Sequence, residues 1–173
     1  MGSFGNAQAH ALEMLLYLSE VLLKGIPEDR FARLPVAANQ TIETNHPAFV
    51  FGHLSLYPAR LEALARGGPA LDVDASYLEL FSASSTCVDD PDGSRYPARD
   101  AIIEQYTSGY RSLIVALREM DDEQASKANT DERWKERYPS IGDALAFIGP
   151  VHTGFHLGQV SAWRRAEGMP SAM

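Results

Sequence analysis

Cysteine is nearly absent from this chain. Its 173 residues include one, Cys87, so no internal disulfide can form. That excludes a disulfide-stapled secreted scaffold and points to a reducing compartment, the cytoplasm. It also excludes a thiolate-rich metal site and leaves imidazole and carboxylate as the available ligands. Basic clusters are missing as well. Lys and Arg number 15 against 23 Asp and Glu, a formal net charge of -8. Phosphate contacts need grouped cations, so nucleic acid is not an expected partner. No apolar run approaches the ~20 residues of a membrane span. The N-terminus has no basic stretch leading into an apolar one, so neither a membrane segment nor a signal peptide is expected. Strand-like alternation is not sustained anywhere. What is there is a hydrophobic content of 45%, enough for a packed core. The length predicts a single domain over residues 1–173. Five histidines stand out against the single cysteine.

Four segments carry helical periodicity, which predicts an all-α fold. The first covers residues 4–24, with Leu12, Leu15, Leu16, Leu18, Leu22 and Leu23 on helical spacing and Gly25 and Pro27 as stop signals. The second covers residues 47–66 and starts at Pro47, a residue suited to a first turn; Pro58 inside it predicts a kink. The third covers residues 97–120, with a broad apolar stripe from Ile102 to Met120. The fourth covers residues 141–167, opened by a Ser140/Asp143 capping box, bent by Pro150 and closed by Gly168 and Pro170. The connectors, about 20, 30 and 20 residues, are too long for a simple up-down bundle and favour crossovers. The acidic stretch Asp89-Asp90-Pro91-Asp92-Gly93-Ser94 lacks the spacing and closing Glu of a calcium loop and reads as a solvated turn.

His152 and His156 are four residues apart in the fourth segment, hence on one helical face, and can point at one ion. The residues between them exclude the H-E-x-x-H metalloprotease pattern. Gly154 costs helix stability unless close packing or a ligand needs the space. A third ligand must come from another helix, and His53, beside Gly52, is the best placed. Three imidazoles suit Zn, Ni, Fe or Cu better than Mg or Ca. Three protein ligands leave an open position, as in catalytic zinc sites. Such a site acidifies water toward a pKa of about 7, or holds a thiol as thiolate.

Gly52-His53-Leu54, and the run from His152 through His156, Gly158, Gln159, Arg164 and Arg165 to Gly168 and Pro170, resemble the DinB/YfiT-like superfamily. The resemblance implies a four-helix bundle with long crossover connections. It implies a divalent metal, zinc or nickel, on His53, His152 and His156, and a homodimer acting on a small-molecule substrate. Activities in the family include metal-dependent hydrolysis and transfer of low-molecular-weight thiols such as bacillithiol or mycothiol. In the thiol-transferase branches a carboxylate commonly joins two histidines, so the all-histidine set here leans toward a hydrolase-like enzyme. A thiol transferase and a non-catalytic metal-binding protein are the alternatives.

The remaining candidates read more plainly. His10 is expected on the surface and His46 as a cap or loop residue ahead of Pro47. Gln159 is placed to orient a ligand, and Glu104 is the nearest candidate for a general base. Trp163 and Tyr106 are expected in the core or at an interface. Cys87 has no visible partner to lower its pKa. Asp121-Asp122-Glu123 reads as the solvated end of the third helix.

Overall fold

In the computed structural model, which describes residues 2–69 and 72–172, the chain is almost wholly helical. The first predicted helix is α1 (Ser3–Leu23), which buries Ala9, Leu12, Leu22 and Leu23. The chain then makes the only strand pair among the described residues, β1 (Val36–Ala37) antiparallel to β2 (Gln40–Thr41). Ala38 and Asn39 between them both have positive φ, which the tightest hairpin turns require.

The second predicted helix is two helices. α2 (Pro47–Leu54) is buried along its whole length, and α3 (Pro58–Arg66) starts afresh at Pro58. A proline lacks the N–H that would continue the ladder, and its ring conflicts with the carbonyl one turn back. The chain therefore tightens at residues 55–57, with Leu56 N–H on His53 O and Tyr57 N–H on Leu54 O, and breaks where a kink was expected.

The connector that follows contains a helix the periodicity did not mark, α4 (Ala75–Phe81), whose Asp74 cap accepts from the Ser76 N–H. The apparent calcium loop is closed on itself: the Asp90 carboxylate accepts the backbone N–H groups of Ser94, Arg95 and Tyr96. α5 (Arg99–Glu119) is the third predicted helix. The acidic run after it is exposed, as expected, but it opens a new helix instead of ending α5. Asp121 caps a further short helix, α6 (Asp122–Ser126), and the Asp122 carboxylate accepts the Ser3 and Phe4 N–H groups at the start of α1. Acidic groups there satisfy orphan donors and complement the helix dipole.

The last predicted helix is α7 (Ile141–Ala146), a π-helical turn at Phe147–Val151, and α8 (His152–Ala166). The Ser140/Asp143 capping box is present. Pro150 lies within the π turn, whose wider coil accommodates a ring that an α-helical turn would reject.

α1 packs on α5 and α8, and α2 packs on α5, α8 and α4, around one continuous cluster of buried apolar residues. Trp163 and Tyr106 lie wholly inside it, as expected. Polar contacts fix α8 at several points. The Thr153 and Tyr110 hydroxyls bond at 2.7 Å in the interior, and Trp163 Nε1 donates to Arg33 O. The buried Arg164 guanidinium donates to the carbonyls of Leu22 and Lys24 at the end of α1. Among the described residues no helix is long and apolar enough to cross a membrane.

Candidate metal centre

His53 comes from α2, and His152 and His156 from the first turns of α8. One ring nitrogen from each lies within 4.8 Å of the others, and this is the only such group of three among the described residues. The closest approaches are between Nε2 atoms: 3.1 Å from His156 to His152 and 3.4 Å from His53 to His152. Three nitrogens on one ion at 2.0–2.1 Å are separated by about 2.8–3.4 Å, from octahedral to tetrahedral angles.

The outer nitrogens show what those Nε2 atoms carry. His53 Nδ1 is 2.7 Å from the Phe81 carbonyl oxygen, which can only accept. Nδ1 therefore holds the proton and Nε2 a lone pair. His156 Nδ1 is 3.2 Å from Gln159 Oε1, again an acceptor, and the same assignment follows. His152 Nδ1 is buried and has no hydrogen-bond partner among the described residues. Packing alone does not explain a buried nitrogen of that kind.

All three rings are held neutral. Burial pushes His53 down to about 4 despite the Phe81 bond, with His156 adding to the effect. Burial, then the His156 and His53 charges, push His152 down to about 3. Burial lowers His156 as well, opposed by Gln159. His53 and His156 turn Nε2 lone pairs toward His152 Nε2, which holds the shared proton when no cation is there and gives it up to a transition ion. The residues present fit such an ion.

The close approach of α4 to α2 depends on Gly52. A Cβ at that position would run into the Phe81 ring, so the glycine is what lets the Phe81 carbonyl reach His53. Gly154, singled out by its place between the two histidines, is less constrained: a Cβ there would meet Leu15 Cδ2 at 3.6 Å, an ordinary contact.

Aromatic rings surround the group. Phe49 stacks parallel to His53, Phe155 presents its edge to His156, and Tyr57 packs edge-on to both His53 and His152. The Tyr57 hydroxyl is 3.1 Å from His53 Nε2. Because that nitrogen has only a lone pair, the phenol donates. Trp134 stacks on the far side of Tyr57. Tyr57 escaped the sequence reading although it is four residues from His53, the spacing that places side chains on one helical face. Asn45 also escaped it: its amide donates to Gln159 Oε1 at 3.0 Å across 114 residues of chain, and no local pattern reveals that.

The other candidates stay outside the group. Glu104 is exposed on α5, and His10 is exposed beside Glu13. His46 is the N-cap of α2, where its Nδ1 accepts from Phe49 N–H and its Nε2 donates to Val88 O. Cys87 is half-buried, and burial pushes its thiol up to about 11. Comparison with known protein families, with curated proteins and with solved structures finds no match to this chain.

Proposed function

We propose that the chain is a metal-dependent enzyme with the four-helix bundle arrangement of the DinB/YfiT-like superfamily. In this reading His53, His152 and His156 hold one divalent transition ion, zinc or nickel, with a position left open for a small-molecule substrate or water. The observation that carries it is the convergence of three neutral imidazoles whose Nε2 atoms lie 3.1 and 3.4 Å apart along two edges. A divalent ion bound there supplies Lewis-acid chemistry toward water, a thiol or a carbonyl oxygen.

The chain's own residues prepare for it. The Phe81 carbonyl and Gln159 hold the outer protons of His53 and His156, so the inner nitrogens keep their lone pairs. The Tyr57 hydroxyl donates to His53 Nε2 and must release it before an ion uses that lone pair. Phe49, Tyr57 and Trp134 shield that side from solvent.

The reaction read first is hydrolysis. Transfer of a low-molecular-weight thiol is the second reading, and Cys87 bears on it. With its thiol pushed up to about 11, the chain supplies no reactive thiolate of its own, so a thiol would arrive as a co-substrate. The single cysteine fits the cytoplasm, and a homodimer goes with the family reading.

Metal analysis of the purified chain tests the centre. One zinc or nickel per chain is expected, lost in the His152→Ala/His156→Ala double variant and kept in His10→Ala. A content far below one per chain, or retention in the double variant, overturns the assignment. Metal-dependent hydrolysis of an ester panel, against metal-dependent conjugation of a small thiol to an electrophile, separates the two chemistries. Full metal content with neither activity leaves a non-catalytic metal-binding protein.

A further inference from the structure

Gln159 Oε1 faces two groups at once: the Asn45 side-chain amide nitrogen at 3.0 Å and His156 Nδ1 at 3.2 Å. An amide oxygen can accept both bonds, and an amide nitrogen can accept neither. We propose that Asn45 and Gln159 are a positioning pair that sets the tautomer of His156. By donating its NH2, Asn45 obliges Gln159 to turn its oxygen inward. That oxygen then requires the proton on His156 Nδ1 and leaves Nε2 with the lone pair that faces His152. The inference rests on the metal-centre reading for its purpose, though not for its geometry.

The arrangement has one self-consistent reverse. If Gln159 turns over, its NH2 donates both to an acceptor at position 45 and to His156 Nδ1. The imidazole proton then moves to Nε2, where it blocks one of the lone pairs that face His152. Nothing in the Gln159 side chain itself favours one orientation, because its oxygen and nitrogen have the same size and position. In the arrangement seen, Asn45 presents its NH2, so the Gln159 oxygen is the end that fits; the pair turned over together is the alternative, and the wild-type tautomer decides between the two. Asn45 precedes α2 and Gln159 lies on α8, so the pair also links the two elements that carry the histidines.

Asn45→Asp forces the reverse. A carboxylate only accepts, so Gln159 must present its NH2. Electrostatics and the tautomer argument then give opposite signs. A new negative charge near a cation site would tighten zinc binding, whereas a misplaced proton weakens it. Outer partners of this kind typically change metal affinity about 10–100-fold.

The test is made on the metal-stripped full chain with 15N-labelled histidine, with zinc affinity measured alongside by chelator competition. The wild type is expected to show His156 protonated at Nδ1. Asn45→Asp is expected to move the proton to Nε2 and to weaken zinc binding at least about tenfold. Gln159→Glu accepts through either oxygen and no longer needs Asn45. Adding Asn45→Ala to it should therefore change neither tautomer nor affinity, while Asn45→Ala alone should change both. An Nε2-protonated His156 in the wild type overturns the proposal. So does an Asn45→Asp chain with an unchanged tautomer or tighter zinc, and so does an Asn45→Ala effect that persists in the Gln159→Glu background. A wild type that binds no zinc yet shows the stated tautomer shifts overturns the metal reading and leaves the positioning pair standing.

Discussion

At His53 the Phe81 carbonyl takes the Nδ1 proton and the Tyr57 hydroxyl occupies the Nε2 lone pair. An ion can use that lone pair only after the phenol lets go. A single intramolecular hydrogen bond contributes about 0.5–1.5 kcal/mol, so Tyr57→Phe should bind zinc as well as the wild type or up to about tenfold tighter. Chelator-competition titration measures this, and weaker binding would make Tyr57 a ligand in its own right. His152 and His156 could be picked out of the sequence because they share a helical face, whereas His53 rests on its place beside Gly52 and on the family resemblance. Tyr57 could have been picked out by the same face argument. Asn45 could not: its partner is 114 residues away, and a loop amide has no period to betray it. The position of His46 ahead of Pro47 predicts a cap or loop residue, and it is the cap, but nothing in the sequence marks it as wholly buried.

The elements were legible where burial imposes a long period and illegible where a few local or tertiary bonds decide. α1 and α5 follow their leucine and isoleucine stripes. α4 and α6 have five to seven residues and depend on Asp74 and Asp121 caps, which only the fold distinguishes from loop carboxylates. The π turn arises because Pro150 must be absorbed inside a buried helix that continues on both sides. The glycines reverse the emphasis of the sequence. Gly52, and not Gly154, is the one that close packing demands. Gly52→Ala should overpack the α2–α4 contact, cost about 1–3 kcal/mol, and weaken zinc binding by drawing the Phe81 carbonyl away from His53. Gly154→Ala should be neutral or stabilising by up to about 1 kcal/mol from helix propensity. Chemical denaturation of both variants checks the pair, and a larger loss in Gly154→Ala would contradict the packing argument.

For the whole molecule, the same burial that orders the core makes stability depend on acid. His46 is fully buried, and desolvation lowers its pKa from 6.5 to about 4. It stays neutral in the folded chain and takes up a proton on unfolding. Its contribution is therefore full above pH 6.5 and is lost as pH falls from 6.5 toward 4, a difference of about 3 kcal/mol at most. The aspartates held low by hydrogen bonds, such as Asp89 and Asp131, lose their contribution only at lower pH. Histidines thus govern the fall between pH 6.5 and 4, with His53 and His152 acting in the same direction. Urea unfolding across this range should show the wild type losing stability steadily. His46→Asn keeps a side chain that can cap α2 and removes the titration. It should start less stable at pH 7.5, because the Val88 contact is gone, yet its fall toward acid should be shallower by close to one proton. Parallel slopes in the two chains would mean that His46 is charged or solvated in the folded state. An ion at the histidine centre would add to stability without altering that comparison, provided both chains are metal-stripped. Zinc restored at pH 7.5 to 100 times its dissociation constant should then stabilise either chain by about 2.7 kcal/mol, a rise in Tm of about 5–11 °C for a chain of this size. The His152→Ala/His156→Ala variant should show no rise. Equal shifts in that variant would place the zinc elsewhere on the protein.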